Sequence, residues 1–219
     1  MLGNILKAQW TSARAIVIVF GILAFTIPLA SVFYGGDLTI SNVFQVSTWL
    51  ATSRLVGQAI PITALALGVL LGMSAWSADH SGRHVYALSL PVPRWKFVLL
   101  RFEAGAILMA GPVAALGVGA LLASAVVKLP TGIHAYPLQL TLRFAMAAMV
   151  MYAIFFAISI GTKRVVVGTL SAIGALILGD IALGAIGSSP ALVEGAYRLL
   201  THWPGPLAIL MGRWALFDV

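Results

Sequence analysis

Residues 104–127, AGAILMAGPVAALGVGALLASAVV, form a run of 24 residues without a charged side chain. An α-helix rises 1.5 Å per residue, so this run is about 36 Å long as a helix and can cross the roughly 30 Å hydrocarbon core of a bilayer. Similar runs lie at 15–34, 55–76 and 138–160, and a further one at 165–186 is interrupted only by Asp180. The sequence therefore predicts five transmembrane helices.

The composition of the whole chain agrees with this pattern. Of its 219 residues, 61% are hydrophobic and 9% are charged, whereas an average soluble domain is about 45–50% apolar and about 25% charged. A soluble enzyme, a disordered tail and a nucleic-acid-binding domain are all poor fits. We expect an all-α polytopic membrane protein in which residues 1–219 form a single transmembrane domain. The absence of cysteine excludes disulfides and cysteine metal sites.

The first 14 residues, MLGNILKAQWTSAR, have the pattern of an amphipathic helix. Leu2, Ile5, Leu6 and Trp10 share one side, and Asn4, Lys7 and Gln9 fall on the other. This spacing predicts an amphipathic helix over 1–14 that lies in the headgroup region, with Trp10 as its anchor. A cleaved signal peptide fits less well, because the following apolar run is too long and no A-x-A site follows it.

The C-terminal end is harder to place. Residues 204–217 are too short to cross a bilayer and include Arg213, so we expect a short interfacial or re-entrant helix there. Five spans from a cytoplasmic N-terminus leave the C-terminus outside. Either a sixth span lies beyond this sequence or the end is tucked into the outer leaflet, and we favour the missing span.

The charge balance indicates the orientation. The chain has 13 Lys and Arg against 6 Asp and Glu, an excess that the positive-inside rule and anionic lipid explain without nucleic acid. With the N-terminus inside, the inner side holds eight basic residues: Lys7, Arg14, Arg83, Arg94, Lys96, Arg101, Lys163 and Arg164. The outer side holds five: Arg54, Lys128, Arg143, Arg198 and Arg213. We therefore expect a multi-pass protein of the cell membrane with a cytoplasmic N-terminus.

The largest polar segment, at 77–105, reads SADHSGRHVYALSLPVPRWKFVLLRFEAG. A short amphipathic stretch with Val85 and Leu88 ends at Pro91, and cations follow as the chain approaches the next span. Such a stretch is typical of a docking helix parallel to the membrane. An ordinary solvated loop, whose cations hold the membrane edge, explains the spacing equally well.

The run from Asp79 through Gly82 to LSLPVPR and Arg101 resembles the cytoplasmic segment of ABC-2 type transporter permeases. One difference is His84, where a small hydroxyl residue is common. The resemblance implies that 77–103 is the cytoplasmic coupling segment, that 1–14 is the elbow helix, and that the closing GRWALFDV precedes a last span. The residues expected to contact the ATPase are Asp79, Gly82, Arg83, Val85, Tyr86, Leu88, Pro91 and Arg94.

The same resemblance implies the partners. They are cytoplasmic ABC ATPase subunits and a second permease subunit, identical or different. The sequence has no GxxxxGK[ST] loop to hold phosphates, so ATP would be bound and hydrolysed by the partner and this chain would be neither an enzyme nor a cofactor-binding protein. The alternatives are a haem-exporter or cofactor-maturation permease, a secondary transporter, or an intramembrane enzyme without an ATPase partner.

Three further features have a structural and a functional interpretation. His80 and His84 have the spacing of two metal ligands, but Gly82 between them weakens a helix and no third histidine is near, so we expect no metal site. Asp180 is the acid inside a predicted span, where it either meets cargo or, as we favour, pairs structurally near the outer leaflet. Small residues recur every four positions, which predicts close helix packing within the chain: Ala64, Gly68 and Gly72; Ala115, Gly119 and Ala123; Ala175 and Gly179.

Overall fold

The computed structural model describes residues 2–33, 43–76, 93–127 and 132–160, together with parts of 167–182 and residues 195, 205, 207–210 and 214–218. The elements are α1 (Leu2–Phe33), α2 (Val43–Gly57), α3 (Ala59–Ser74), α4 (Arg94–Val126), β1 (His134–Ala135), α5 (Pro137–Ser159), a 3₁₀ turn (Ala208–Leu210) and β2 (Phe217–Asp218). Helices dominate this part of the chain, as the apolar runs predict.

Four helical stretches are long and apolar enough to cross a membrane: Leu2–Phe33, Trp49–Ser74, Arg94–Val126 and Pro137–Ser159. Their outward sides are apolar as well, since Ile22 on α1, Ile62 on α3 and Leu142 on α5 are 59%, 67% and 63% exposed. Aliphatic side chains in such numbers suit lipid tails and not water. The chain is therefore an all-α membrane protein, and these four stretches coincide with four of the five predicted spans.

The fifth predicted span, 165–186, lies largely outside the described residues. Its described pieces, which fall between 167 and 182, are helical. Asp180 is not among them. The fifth span and the role of this acid therefore stay predictions.

The N-terminal residues do not form a helix of their own. They continue without a break into the first span, so α1 is a single helix of 32 residues, about 48 Å long. The predicted elbow helix over 1–14 is not confirmed. The predicted faces were also partly wrong, because Gln9 is buried whereas Trp10 is 42% exposed. Position 9 is almost two full turns after Leu2, so it lies on nearly the same side of α1 as Leu2. Position 10 is turned about 100° further around the helix.

The second span consists of two helices, α2 and α3, that meet at Gln58. Pro61 accounts for the junction, because a proline has no N–H to donate to the carbonyl of Gly57. Gln58 keeps helical angles, with φ −64° and ψ −18°, and its N–H donates to the carbonyls of Arg54 and Leu55, both at 3.2 Å. The interruption is therefore a local change in hydrogen bonding.

Glycines bring α1 and α4 into close contact. Gly119 on α4 faces the backbone of Phe25, where any Cβ would collide with the Phe25 carbonyl oxygen. Eight residues earlier, a Cβ on Gly111 would lie 3.6 Å from Cγ1 of Val17. Residue numbers rise in the same direction along both helices, so α1 and α4 are parallel.

The second parallel pair is formed by α3 and α5. A Cβ on Gly68 would lie 2.5 Å from the carbonyl oxygen of Ala148, and one on Gly72 would lie 2.9 Å from the backbone nitrogen of Phe156. The prediction that small residues serve packing within the chain is confirmed at these glycines and at Gly119. We call the end at which α1 and α4 begin the Trp76 end, and the opposite end the Asp218 end.

At the Asp218 end, the described C-terminal residues are extended. Residues 214–218 lead into β2, which pairs antiparallel with β1 so that His134 faces Asp218 and Ala135 faces Phe217. The backbone N–H of Tyr136 donates to the carbonyl of Leu216 at 2.9 Å. The helix expected over 204–217 is wrong for residues 214–217, because these backbone groups bond across to the strand before α5 and not along a helix.

A buried arginine cluster as the candidate functional site

Most of the residues expected to contact an ATPase lie outside the described part of the chain. They are Asp79, Gly82, Arg83, Val85, Tyr86, Leu88 and Pro91, and His80 and His84 lie outside it as well. Arg94 is described: it is the first residue of α4 and is exposed. The structure therefore describes the residues on either side of the segment 77–92, which are Trp76 before it and Pro93 after it.

The two flanks meet in one aromatic group. Trp76, the last described residue before the segment, is 4% exposed and lies with its ring centre 6.5 Å from that of Phe97, in the first turn of α4. Its ring centre is also 5.4 Å from that of Phe156 on α5. The carbonyl of Pro93 accepts the backbone N–H groups of Lys96 and Phe97 at 3.0 and 3.3 Å, which closes the first turn of α4.

Arg101 lies at the centre of this group. Its guanidinium carbon is 4.7 Å from the centre of the Trp76 ring and 5.2 Å from that of Phe97, and the residue is 6% exposed. A desolvated cation over an aromatic face gains about 2 kcal/mol, because the ring quadrupole is not screened by water. The charge of Arg101 thus binds the end of α3 to the beginning of α4.

Two polar side chains attach α1 and α5 to the same place. Nε2 of buried Gln9 donates to the carbonyl of Arg101 at 3.1 Å, and the hydroxyl of Tyr152 donates to the carbonyl of Phe102 at 3.2 Å. Tyr152 is fully buried and fits because Gly105 has no side chain, since a Cβ there would collide with its hydroxyl. Four helices therefore converge within one turn of Arg101. We call the group that these contacts form the arginine cluster: Gln9, Trp76, Phe97, Arg101, Phe102, Tyr152 and Phe156.

The contacts of this cluster join the helices to one another. Its contacts are tilted and edge-to-face ring pairs, a cation over two aromatic rings and hydrogen bonds to main-chain carbonyls. Around Arg101, the described side chains include no carboxylate, serine or histidine arranged as a nucleophile and base. No group of three His, Asp or Glu that could hold a metal occurs among the residues that the structure describes.

A second polar group lies at the Asp218 end. Arg54 forms an ion pair with Asp218 at 2.9 Å, and the guanidinium of Arg143 lies 4.7 Å from the centre of the Trp214 ring. A cavity of about 100 Å³ lies between Arg54, Gln58, Trp214 and Ala215. Arg54 and Gln58 are exposed, so this cavity opens to the surface. The cavity lies where the junction of α2 and α3 meets the C-terminal residues Trp214 and Ala215.

The central positions of Arg101, Gln9 and Trp76 were not predicted from the sequence. A signal was present, because Phe97, Arg101 and Leu108 follow one another at four and seven residues and so lie on one face of α4. The buried apolar neighbours on that face, among them Ala104, place Arg101 inward. From the sequence, Arg101 was assigned to the inner membrane edge and to the end of the coupling-segment resemblance, and its burial was not predicted because its position along the chain already explained its charge.

No protein-family model matches this sequence, and no curated protein or solved structure is significantly similar to it. The fold and the arginine cluster thus define the chain as a helical membrane protein in which Trp76, before 77–92, and Phe97, after it, pack in one cluster.

Proposed function

We propose that this chain is the transmembrane permease subunit of an ABC-2 type ABC transporter, in which residues 79–94 contact a cytoplasmic ATPase subunit. The resemblance of DHSGRHVYALSLPVPR to the coupling segment of that family is the starting point. The observation that carries the proposal is the fixing of both flanks of the segment, at Trp76 and at Phe97, by the buried Arg101.

This arrangement supports coupling for a mechanical reason. A segment that ends in two loosely held helices would absorb a push, because each helix end could yield by itself. Packed interiors yield little, so a push on a segment whose flanks share one cluster displaces α3 and α4 together. Gln9 extends the connection to α1, and Tyr152 and Phe156 extend it to α5.

In the proposed cycle, ATP binding closes a pair of ATPase subunits and moves the segment 77–92 with them. The arginine cluster passes the movement into the spans, and cargo crosses or leaves the bilayer between two permease subunits.

In this proposal the Trp76 end is cytoplasmic. Among the described residues this end holds Lys7, Arg14, Arg94, Lys96 and Arg101, whereas Arg54 and Arg143 lie toward the Asp218 end, a bias that agrees with the positive-inside rule.

The test uses a double substitution in the segment and a matched one at the opposite end. Interface centres carry most of the binding energy, so Tyr86→Ala with Leu88→Ala should release the ATPase. Tyr136 and Leu138 have the same Tyr-x-Leu spacing and are 40% and 74% exposed, so Tyr136→Ala with Leu138→Ala is the control. Each full chain is purified in mild detergent from its native membranes, and ATP hydrolysis is measured in the purified fraction.

We expect ATP hydrolysis to copurify with the wild-type chain and with the control, and to fall at least about tenfold with the Tyr86/Leu88 variant, which corresponds to about 1.4 kcal/mol of binding. Both variants should elute as the wild-type chain does in gel filtration. A wild-type fraction without ATP hydrolysis, or undiminished hydrolysis with the Tyr86/Leu88 variant, would contradict the assignment.

A further inference from the structure

Exposed cationic side chains form a band at the Trp76 end. The structure gives the position of each of them along the helix axes. The hydrogen bond from Gln9 to the Arg101 carbonyl places these two residues at the same level of the parallel pair α1 and α4. With a rise of 1.5 Å per residue, Arg94 lies about 10 Å outward of that level and Arg14 about 8 Å inward. Lys7 and Lys96 lie between them. All four are exposed.

Exposed tryptophans mark the same band as the membrane interface. Trp10, 42% exposed, lies next to the level of Gln9, and Trp95, 61% exposed, lies about 9 Å outward of Arg101. Tryptophan prefers the headgroup level because its ring is apolar and its N–H is polar. Lys96 Nζ lies 5.5 Å from the centre of the Trp95 ring, so a cation and an interfacial ring share one place.

The lengths of the helices agree with this assignment. α1 and α4 have 32 and 33 residues and are each about 50 Å long, whereas the hydrocarbon core is about 30 Å thick. Each helix must therefore extend into the headgroup regions. α5, with 23 residues, is about 35 Å long and ends at Ser159, near the level of Trp76. Trp76 also contacts Phe97, so on α4 Arg94 and Trp95 lie outward of this level.

The charges in this band are nearly all of one sign. Among the described residues of this band, Glu103 is the acidic one. It lies two positions after Arg101 on α4, and its side chain is exposed. None of Lys7, Arg14, Arg94 and Lys96 forms an ion pair with another described residue. Lys and Arg side chains can extend several ångström along a helix to place their charge at the headgroups, which brings Arg14 into the same layer.

We propose that this band, Lys7 and Arg14 on α1 with Arg94 and Lys96 on α4, binds the headgroups of anionic phospholipids. The occupant is a phospholipid and not an acidic protein, because the band is interleaved with interfacial tryptophans and continues directly into the apolar, lipid-facing sides of the same helices. Each basic residue near an anionic membrane surface contributes up to about fivefold in association. The inference does not depend on the proposed transport function, because Lys7, Arg14 and Lys96 lie outside the proposed ATPase contact at 79–94. Arg94, the last residue of that contact, is the one residue that the two proposals share.

The test measures lipid selectivity in bilayers. The full chain is reconstituted in phosphatidylcholine with a trace of spin-labelled phosphatidylglycerol or spin-labelled phosphatidylcholine, and electron paramagnetic resonance gives the motionally restricted fraction of each. The charge variant combines Lys7→Gln, Arg14→Gln, Arg94→Gln and Lys96→Gln. The matched control is Asn4→Gln with Thr11→Gln, which changes exposed polar residues of α1 without changing charge. Two double variants, one per helix, serve if the fourfold variant fails to insert.

We expect the wild-type chain and the control to favour phosphatidylglycerol at least about twofold, and the charge variant to lose this preference. The preference should also fall in 1 M salt, where the Debye length is about 3 Å. The restricted fraction of phosphatidylcholine reports the intact lipid-facing surface and should be the same in all variants. Equal restriction of the two lipids by the wild-type chain, or a preference that persists in the charge variants, would overturn the inference.

Discussion

The guanidinium of Arg101 contacts both the Trp76 and the Phe97 ring, with its carbon 4.7 and 5.2 Å from the two ring centres. The guanidinium of arginine is delocalised and weakly hydrated and packs well against aromatic rings, whereas the ammonium of lysine is a compact, strongly hydrated point charge. Arg101→Lys keeps the charge and loses this fit. We expect it to lower the stability of the protein in detergent by about 1–2 kcal/mol.

The matched control for this substitution is Arg94→Lys, seven residues earlier on the same helix, where the arginine is exposed. Substitutions at exposed positions usually change stability by less than about 0.5 kcal/mol. The measurement is the midpoint of thermal unfolding of each purified variant, followed by intrinsic tryptophan fluorescence. If Arg101→Lys and Arg94→Lys have the same midpoint, the stacking of Arg101 does not stabilise the Trp76 end.

Gly68 lies at a close contact between α3 and α5. A Cβ there would lie 2.5 Å from the Ala148 carbonyl oxygen and 2.8 Å from the Tyr152 backbone nitrogen, so α3 and α5 would have to separate. Overpacking of this kind costs about 1–3 kcal/mol, whereas glycine to alanine in an open helical position gains up to about 1 kcal/mol.

Gly68→Ala should therefore lower the unfolding midpoint, and Gly21→Ala, where nothing lies within 4 Å of the added Cβ, should leave it unchanged or raise it. The same thermal measurement compares the two variants. A midpoint for Gly68→Ala at or above that of Gly21→Ala would mean that α3 and α5 do not approach as closely as Gly68 and Ala148 do here.

At the scale of elements, the C-terminal strand β2 is held by both burial and charge. Phe217 is fully buried with its ring centre 4.9 Å from that of Trp49, and Asp218 pairs with Arg54 at 2.9 Å. The side chains of the ion pair are 47% and 22% exposed, and exposed pairs contribute only about 0–1 kcal/mol. Removing a buried phenylalanine side chain costs about 3–5 kcal/mol.

The two contributions can be separated by hydrogen exchange at Tyr136, whose N–H donates to the Leu216 carbonyl. Phe217→Ala should detach β2 and expose this N–H to rapid exchange, whereas Asp218→Asn should change its exchange little. Fast exchange at Tyr136 in Asp218→Asn, with protection retained in Phe217→Ala, would show that the ion pair and not the aromatic contact holds the strand.

How far the sequence predicts these elements depends on the range of the interactions. The spans follow from local hydropathy, and the packing role of Gly68 follows from its spacing with Ala64 and Gly72. The pairing of Ala135 with Phe217 could not be predicted, because two-residue strands more than 80 positions apart leave no periodic pattern. Gln9 was misplaced because its reason for burial, a hydrogen bond to the Arg101 carbonyl, lies on another helix.

At the scale of the whole molecule, the two ends of the bundle differ in how they are closed. At the Trp76 end, aromatic rings and Arg101 join α3, α4 and α5 directly. At the Asp218 end, the C-terminal strand β2 pairs with β1, and its Asp218 forms an ion pair with Arg54 on α2. In the proposed cycle, a push on the segment 77–92 would therefore act on a packed joint, whereas the opposite end is closed by the pairing of one strand. This difference fits a molecule driven from the Trp76 end.

The orientation of the bundle decides whether that drive can come from the cytoplasm. The basic residues predict that the N-terminus, 79–101 and 161–165 are cytoplasmic and that 35–52 and 128–137 are outside. The chain has no cysteine, so single cysteines can be placed freely. Lys96 near the start of α4 and His134 before α5 are both exposed and lie at opposite ends.

We expect an impermeant thiol reagent applied to intact cells to label His134→Cys and to leave Lys96→Cys unlabelled, because only the Asp218 end then faces the medium. Permeabilised cells provide the control, since both positions should be labelled there if both variants are folded and accessible. Labelling of Lys96→Cys but not His134→Cys in intact cells would invert the bundle. It would place residues 79–94 on the side without ATP, and the proposed ATPase contact would then be excluded.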